Sequence, residues 1–203
     1  VLVRAARLCS ERTSHTPRAV ALYEAAIEDN PQLAGAFEAM ENELIRANDA
    51  AGLAAAYVRQ ISRLQSHGAT EEQSAILRRL ARVQRNALSD SAAAIRSLEQ
   101  LIALQPSDVA ARRELAELHQ ASGDASRATG YLEEVVLQDP SQVDAYRNLL
   151  QLFTQAGDAD RSYCASSVLV ALGEANSDEQ QIFGQSRPET LPGAVSRPLR
   201  TSC

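Results

Sequence analysis

Apolar residues recur along this chain at intervals of three and four, which is the spacing of one face of an α-helix. Leu115 and Leu118 follow this spacing before a polar break at Gly123-Asp124, and Leu132 and Val135 resume it afterwards. The glycine suits the left-handed conformation that ends a helix, and the aspartate suits the cap position at which the next helix begins. The pattern therefore predicts a helical hairpin.

This hairpin pattern returns after 34 residues, because Gly123-Asp124 recurs as Gly157-Asp158 and Pro106 recurs as Pro140. A fixed period of this length is typical of supersecondary units that bury their apolar faces only by stacking on neighbours. The period slips once, near residues 67–69. We therefore predict an all-α fold, an α-solenoid of stacked antiparallel helical hairpins.

Further signals mark where the helices begin and end. Asn48-Asp49 and Ser89-Asp90 occupy the positions of the Gly-Asp turn, and Pro31 closes a helix as the later prolines do. The segments 70–73 and 177–180 each begin with a hydroxyl residue and end in glutamine. This spacing predicts a capping box at the start of both helices.

The order of small and bulky residues resembles that of the tetratricopeptide repeat. In the second helix of that repeat a small residue is followed by a bulky one, then by a small or apolar one, and then by proline. Three segments carry this order: Ala19, Tyr23, Ala26 and Pro31; Ala94, Leu98, Leu101 and Pro106; and Ala128, Leu132, Val135 and Pro140. The first helix of the repeat is matched best by Tyr146, Leu149, Leu150 and Phe153, with Leu150 where the family has a small residue.

The resemblance covers about residues 1–175 and implies about five hairpins in a right-handed superhelix. We expect residues 1–183 to form this repeat domain, including a short capping helix near its end. Residues 184–203 are expected to be a flexible tail or linker, because their prolines and glycines interrupt any helical period. Members of the family hold a peptide in the concave groove, so the implied function is a protein–protein interaction scaffold rather than an enzyme.

Composition narrows the partners and the setting. The net charge of −6 argues against nucleic acid and anionic membranes as partners. All positive charge is arginine, which favours a GC-rich bacterial origin. The three widely spaced cysteines, Cys9, Cys164 and Cys203, predict neither a disulfide framework nor a zinc site, and favour the cytoplasm. The chain starts without methionine or a signal peptide, so we expect it to be part of a longer protein.

The sequence shows no motif that would support catalysis or hold a cofactor. It contains no G-x-S-x-G, no H-E-x-x-H and no phosphate-binding glycine loop. We therefore predict no enzymatic activity, no cofactor and no metal. His119 is expected to be a core residue with its hydrogen bonds satisfied, and Cys164 a small buried residue of the last long helix.

The candidate binding residues follow from the places that face the groove in the family. The fifth position of the first helix is arginine in three successive units, and further polar residues flank the first and last of these arginines. The predicted peptide-binding set is Arg78, Arg82, Arg113, Arg147, Asn148 and Gln151. Arginine binds carboxylates through two parallel hydrogen bonds, so an acidic peptide is the expected partner. The alternative is a solvated face whose arginines pair with Glu114, Glu117 and neighbouring acids.

Three functions remain open from the sequence. The first is an interaction scaffold that binds a peptide or protein partner in the groove. The second is a non-catalytic docking arm of a larger enzyme, such as a kinase or a glycosyltransferase. The third is self-association, in which exposed ends of the solenoid stack on one another.

Overall fold

The computed structural model describes residues 1–13, 16–29 and 35–185. Within these ranges the chain forms helices joined by short turns, and no strand occurs in them. The helices are α1 (Leu2–Thr13), α2 (Thr16–Asp29), α3 (Ala36–Arg46), α4 (Ala50–His67), α5 (Thr70–Asn86), α6 (Ser91–Leu104), α7 (Val109–Ala121), α8 (Ala125–Gln138), α9 (Val143–Ala156), α10 (Ala159–Leu172) and α11 (Ser177–Gln185). The all-α prediction is confirmed.

The chain divides into two compact units. Unit 1 runs from Val1 to Leu118, and unit 2 begins at His119. In unit 1 each helix from α1 to α5 packs against the next helix along the chain. In unit 2 the same sequential packing joins α8 to α9, α9 to α10 and α10 to α11. Within each unit these consecutive helices are therefore neighbours, as hairpin units require.

An aspartate begins the second helix of four hairpins. In each case its carboxylate accepts a hydrogen bond from the backbone N–H three residues later, which satisfies a donor that the first helical turn leaves without a partner. The residue before the aspartate has a positive φ in each turn. The turns are Asn48-Asp49, Ser89-Asp90, Gly123-Asp124 and Gly157-Asp158. The predicted turn chemistry is confirmed at all four.

The two predicted capping boxes are wrong in detail. Helix α5 is preceded by Ala69, whose side chain makes no cap, and the Thr70 hydroxyl donates to the Gly68 carbonyl instead. At α11 the box lies one residue earlier than predicted: Asn176 Oδ1 accepts from the Glu179 backbone N–H at 2.9 Å, and Glu179 Oε2 accepts from the Asn176 N–H at 2.8 Å. Asparagine and glutamate satisfy the same spacing as serine and glutamine.

The core contains the small and bulky residues that the repeat pattern places there. Ala19, Ala94 and Ala128 have no exposed surface, and the bulky residue four positions later is almost fully buried in each helix. A small residue at this position lets two helices approach closely. Pro31 and the tail from residue 186 onward lie outside the described residues, so neither prediction is tested there.

The slip in the period has a structural cause. Helices α4 and α5 contain 18 and 17 residues, whereas α6 and α8 contain 14 each. Helix α4 continues to His67 before Gly68 ends it with φ of 67°. The extra turn in each helix lengthens this hairpin and shifts the repeat phase after it.

Two side-chain predictions need correction. His119 is buried as expected and its ring stacks on Tyr131, but its Nε2 has no hydrogen-bond partner among the described residues. Cys164 is exposed rather than buried. The buried face of α10 follows Ser162, Ala165 and Leu169, and a residue two positions after Ser162 points away from that face.

Candidate interaction surface

Helix α5 carries a row of arginines on its outer face. Its inner face, which includes Leu77 and Leu80, is buried in unit 1. Arg78, Arg82 and Arg85 are spaced by four and three residues, so they lie on one side of the helix. We call these three residues the α5 arginine row.

The arginines at both ends of the α5 arginine row form ion pairs. One binds the aspartate that caps α7, and the other binds a glutamate within α7. Arg78 forms an ion pair with Asp108, whose carboxylate also accepts from the Ala111 N–H and so caps α7. Arg85 Nη2 lies 3.0 Å from Glu117 Oε2. These bonds hold α5 beside the part of α7 that belongs to unit 1, and they leave both arginine side chains at least a third exposed.

Arg82 differs from its two neighbours in the row. Its side chain is exposed, and it makes no ion pair within residues 1–13, 16–29 and 35–185. Arg113, the next predicted rung, is exposed on α7. The predicted residues of unit 1 therefore all reach the surface, and Arg78 is already engaged by the Asp108 carboxylate.

A second network connects α5 to α3 and was not foreseen from the sequence. Arg79 Nη1 lies 2.9 Å from Glu41 Oε2, and the Tyr57 hydroxyl donates to the other oxygen of Glu41. Burial, followed by the hydrogen bond and the charge of Glu41, raises the pKa of Tyr57 well above its ordinary value. The neutral phenol therefore persists as a donor, and α3, α4 and α5 share one polar contact.

The predicted residues of unit 2 surround a different contact. Arg147 Nε lies 3.0 Å from Glu179 Oε1, and Arg147 Nη2 donates to the Glu174 carbonyl at 2.7 Å. These bonds attach α9 to the beginning of α11. Asn148 and Gln151 lie on α9 with Arg147. The Asn148 side chain is half-buried, and the Gln151 side chain is exposed.

Sequence reasoning identified the arginines but not most of their partners. Glu117 was named as a partner acid and does bind Arg85. Asp108 and Glu179 were missed, and neither Arg79 nor its partner Glu41 was predicted. Asp108 carries one local signal, because it lies directly before α7, where a capping aspartate is favoured.

The described residues contain no group of three or more histidine, cysteine, aspartate or glutamate side chains arranged to hold a metal ion. No helix in the described part of the chain is long and apolar enough to cross a membrane. Arginines and carboxylates on helix faces are the chemical groups that this surface offers. Such groups can bind partners of opposite charge.

Comparison with known proteins agrees with this architecture. Residues 86–153 match the sequence model of a family described as the tetratricopeptide repeat. No curated protein sequence matches the chain.

Solved structures match over most of the chain at low sequence identity. YrrB, described as a TPR protein with an unusual peptide-binding site, is 16% identical, with a TM-score of 0.52 over 91% of this chain and 89% of YrrB. A tetratricopeptide-repeat protein from Parabacteroides merdae is 14% identical, with a TM-score of 0.53 over 91% of this chain and 70% of that one. The C-terminal part of a TPR repeat-containing protein from Cytophaga hutchinsonii is 12% identical, with a TM-score of 0.60 over 89% of this chain and 71% of that one.

The chain is therefore an α-solenoid protein built from helical hairpins. Residues 86–153 match the tetratricopeptide-repeat family, in line with the spacing of small, bulky and proline residues in the sequence, and the rest of the chain is similar to such proteins in fold. The fold is one that serves in general as a scaffold for protein interactions.

Proposed function

We propose that this chain is a cytoplasmic scaffold that binds an acidic peptide segment of a partner protein through its exposed arginines. Arg82 carries the proposal. It is exposed, lies between Arg78 and Arg85 on α5, and has no ion pair among the described residues. In unit 2, Arg147, Asn148 and Gln151 are proposed as a separate set of contacts.

The charges on α5 favour an acidic ligand for a physical reason. Like charges four residues apart on a helix destabilise it by about 0.2–0.5 kcal/mol per pair. Arg78 and Arg82 form such a pair, in which Arg78 is bound to Asp108 while Arg82 has no ion pair among the described residues. A ligand carboxylate at Arg82 would relieve this repulsion and accept two parallel hydrogen bonds from the guanidinium group.

The fold comparison supports peptide binding as the general function. YrrB is described as having a peptide-binding site, and the present chain shares its fold over most of its length. This likeness makes peptide binding a reasonable function for the fold, whereas the preference for acidic residues depends on the arginines of this chain alone.

A binding assay tests the proposal directly. We expect a fluorescently labelled peptide rich in glutamate to bind the full chain, and Arg82→Gln to weaken that binding about three- to fivefold, as expected for an exposed charged contact. Adding Arg113→Gln should weaken it further, and raising the salt concentration should weaken the wild-type complex because the charges are exposed. Gln151→Ala measures the contribution of unit 2, because Gln151 is exposed whereas Arg147 holds the buried Glu179 carboxylate.

The matched control is Arg96→Gln, which removes an exposed arginine from α6 of the same unit. Arg78→Gln is a poor first variant, because it leaves the buried Asp108 carboxylate without its partner and changes stability as well as charge. Equal effects of Arg82→Gln and Arg96→Gln would show that only the overall charge matters, and the proposed site would then be wrong.

A further inference from the structure

Helix α3 carries a glutamate at the place where the following first helices carry arginine. Glu38 lies eleven residues before the capping Asp49, as Arg113 lies eleven residues before Asp124. Each residue at this place is followed two positions later by a buried apolar residue of the same helix. The pairs are Glu38 and Met40, Arg78 and Leu80, Arg113 and Leu115, and Arg147 and Leu149. The sign of the charge therefore changes between α3 and α5.

The outer side of α3 carries polar side chains that have no polar partner among the described residues. Glu38 and Asn42 are exposed and lie four residues apart on one side of the helix. Their side chains make no hydrogen bond or ion pair within the described ranges. We call these two residues the α3 polar row. Ile45 follows the row by about one helical turn and is 56% exposed, so an apolar side chain borders the row at the surface.

The α3 polar row and the α5 arginine row lie side by side on unit 1. The bond between Arg79 and Glu41 joins the flanks of α5 and α3 that face each other. Arg82 is close enough to the Tyr57 hydroxyl of that contact for its charge to act on it. Arg79 and Glu41 thus neutralise each other between the two helices. Glu38 and Arg82 are exposed and have no ion pair among the described residues.

Local stability accounts for only part of this pattern. Glu38 lies in the first turn of α3, where a negative charge is favourable by about 0.3–1 kcal/mol. That effect explains neither the exposed Asn42 and Ile45, which are poorer helix formers than alanine, nor the repulsion between Arg78 and Arg82. Surface positions that break a local rule without a compensating contact are expected at functional sites. Adjacent groups of opposite charge are also a pattern that a partner recognises.

We infer that the partner segment is ampholytic, with acidic residues against the α5 arginine row and a basic residue against Glu38. This inference rests on the proposed acidic-peptide function and narrows its partner. Arg82 lies three residues after Arg79, and Glu38 lies three residues before its partner Glu41. At a rise of about 1.5 Å per residue this offset is about 9 Å along the helices, in addition to about 8–10 Å between the helix axes. An extended chain advances about 3.3 Å per residue, so about four residues separate the acidic and basic groups. The Asn42 amide bonds the backbone of the segment, and an apolar side chain covers Ile45.

Glu38 also acts against the wrong partner. A uniformly acidic peptide that reaches across unit 1 from α5 brings a carboxylate close to Glu38. Repulsion between like charges disfavours that complex, so the α3 polar row selects partners as well as attracting them. Reversing the charge of Glu38 should therefore strengthen the binding of an acidic peptide. A gain of affinity is a sharper test than a loss.

The experiment compares three labelled peptides of equal length on the full chain at low salt. The first has a glutamate block, an uncharged spacer of about four residues and a lysine block. The second replaces the lysines by glutamines, and the third has the composition of the first with glutamate and lysine alternating. We expect the block peptide to bind about two- to fivefold more tightly than either of the others.

The decisive variants change the charge of Glu38 alone. We expect Glu38→Gln to lose the preference for the block peptide, and Glu38→Arg to bind the purely acidic peptide more tightly than the wild type does. Asn42→Ala should weaken all three peptides alike, because it removes a contact with their backbone. Circular dichroism verifies that the variants remain helical.

The matched control is Asp160→Asn, which removes an exposed acid from the first turn of α10 in unit 2. It changes the net charge and the helix start in the same way as Glu38→Gln, so we expect it to preserve the preference for the block peptide. Equal effects of the two variants would show that the net charge of the chain, rather than α3, decides between the peptides.

Three further results would overturn the inference. If the acidic peptide binds in an Arg82-dependent way but the lysine block adds nothing, the proposed function survives and the ampholytic partner does not. If no peptide binds, both fail. If the wild-type chain sediments as a dimer that Glu38→Arg dissociates, a second copy occupies this face instead of a peptide.

Discussion

The start of α11 has two candidate cap residues, one assigned by the structure and one predicted by the sequence pattern. The structure assigns the cap to Asn176, whose side chain and backbone exchange hydrogen bonds with Glu179. The sequence pattern alone favoured Ser177. Replacing each residue by alanine in turn therefore separates two positions that differ by one residue.

The expected magnitudes follow from the contacts that each change removes. Asn176→Ala loses the side-chain cap, which costs about 1 kcal/mol. Glu179→Ala loses the reciprocal bond and the ion pair with Arg147, and we expect a cost of about 2 kcal/mol, because Arg147 is 38% exposed and regains water. Ser177→Ala should cost close to nothing, since the Ser177 side chain has no hydrogen-bond partner among the described residues.

Amide hydrogen exchange measures these costs where they occur. Because α11 is the last described helix, its opening is local and need not unfold the rest of unit 2. We expect protection of the α11 amides to fall about fivefold in Asn176→Ala and about thirtyfold in Glu179→Ala, with α8 to α10 little changed. Phe183 of α11 stacks on Tyr163 of α10, so each opening of α11 also breaks this ring contact, and its cost is common to all three variants. Equal loss of protection in Ser177→Ala and Asn176→Ala would refute the assignment of the cap.

Two further predictions concern packing and pH. Ala128→Leu should lower the free energy of unfolding by about 1–3 kcal/mol in urea titrations, because Ala128 has no exposed surface, and a neutral result would contradict the close packing there. Hydrogen bonds from the side chains of Ser141 and then Gln142, and from the Ser141 backbone, lower the pKa of Asp139 below its ordinary value of 3.8. Folding thus favours the carboxylate, whose stabilising contribution is present above pH 3.8 and is lost as the pH falls through the lowered pKa. The difference in unfolding free energy between the wild type and Asp139→Ala should therefore shrink in acid, and a difference that grows below pH 3.8 would contradict this sign.

The candidate site shows the limit of position-by-position reasoning. Register within a helix places Arg78, Arg82 and Arg85 on one side of α5, and that prediction needed only the spacing of 3.6 residues per turn. Whether each arginine is engaged or exposed to a partner depends on acids in other helices. Arg78 has such an acid in Asp108, whereas Arg82 has none among the described residues.

Local chemistry in the sequence was sufficient to predict the helical hairpins. A left-handed residue followed by aspartate ends one helix and caps the next through contacts within a few residues, as at Gly123-Asp124 and Gly157-Asp158. A period of 34 residues then requires these hairpins to stack, because none of them buries its apolar face alone. The fold class and the positions of the turns can therefore be predicted from the sequence alone.

Only the tertiary structure determined which charges meet. Arg79 and Glu41 are 38 residues apart in the chain, and Arg147 and Glu179 are 32 apart. Their contact depends on how each helix is rotated about its axis against its neighbour, and a change of one residue moves a side chain by about 100° around the helix. Hydrophobic periodicity locates the buried face but leaves the flanking positions undetermined. The structure shows which charges at those flanking positions form ion pairs between helices, such as Arg79 with Glu41. It also shows which of them remain exposed on α3 and α5, such as Glu38 and Arg82.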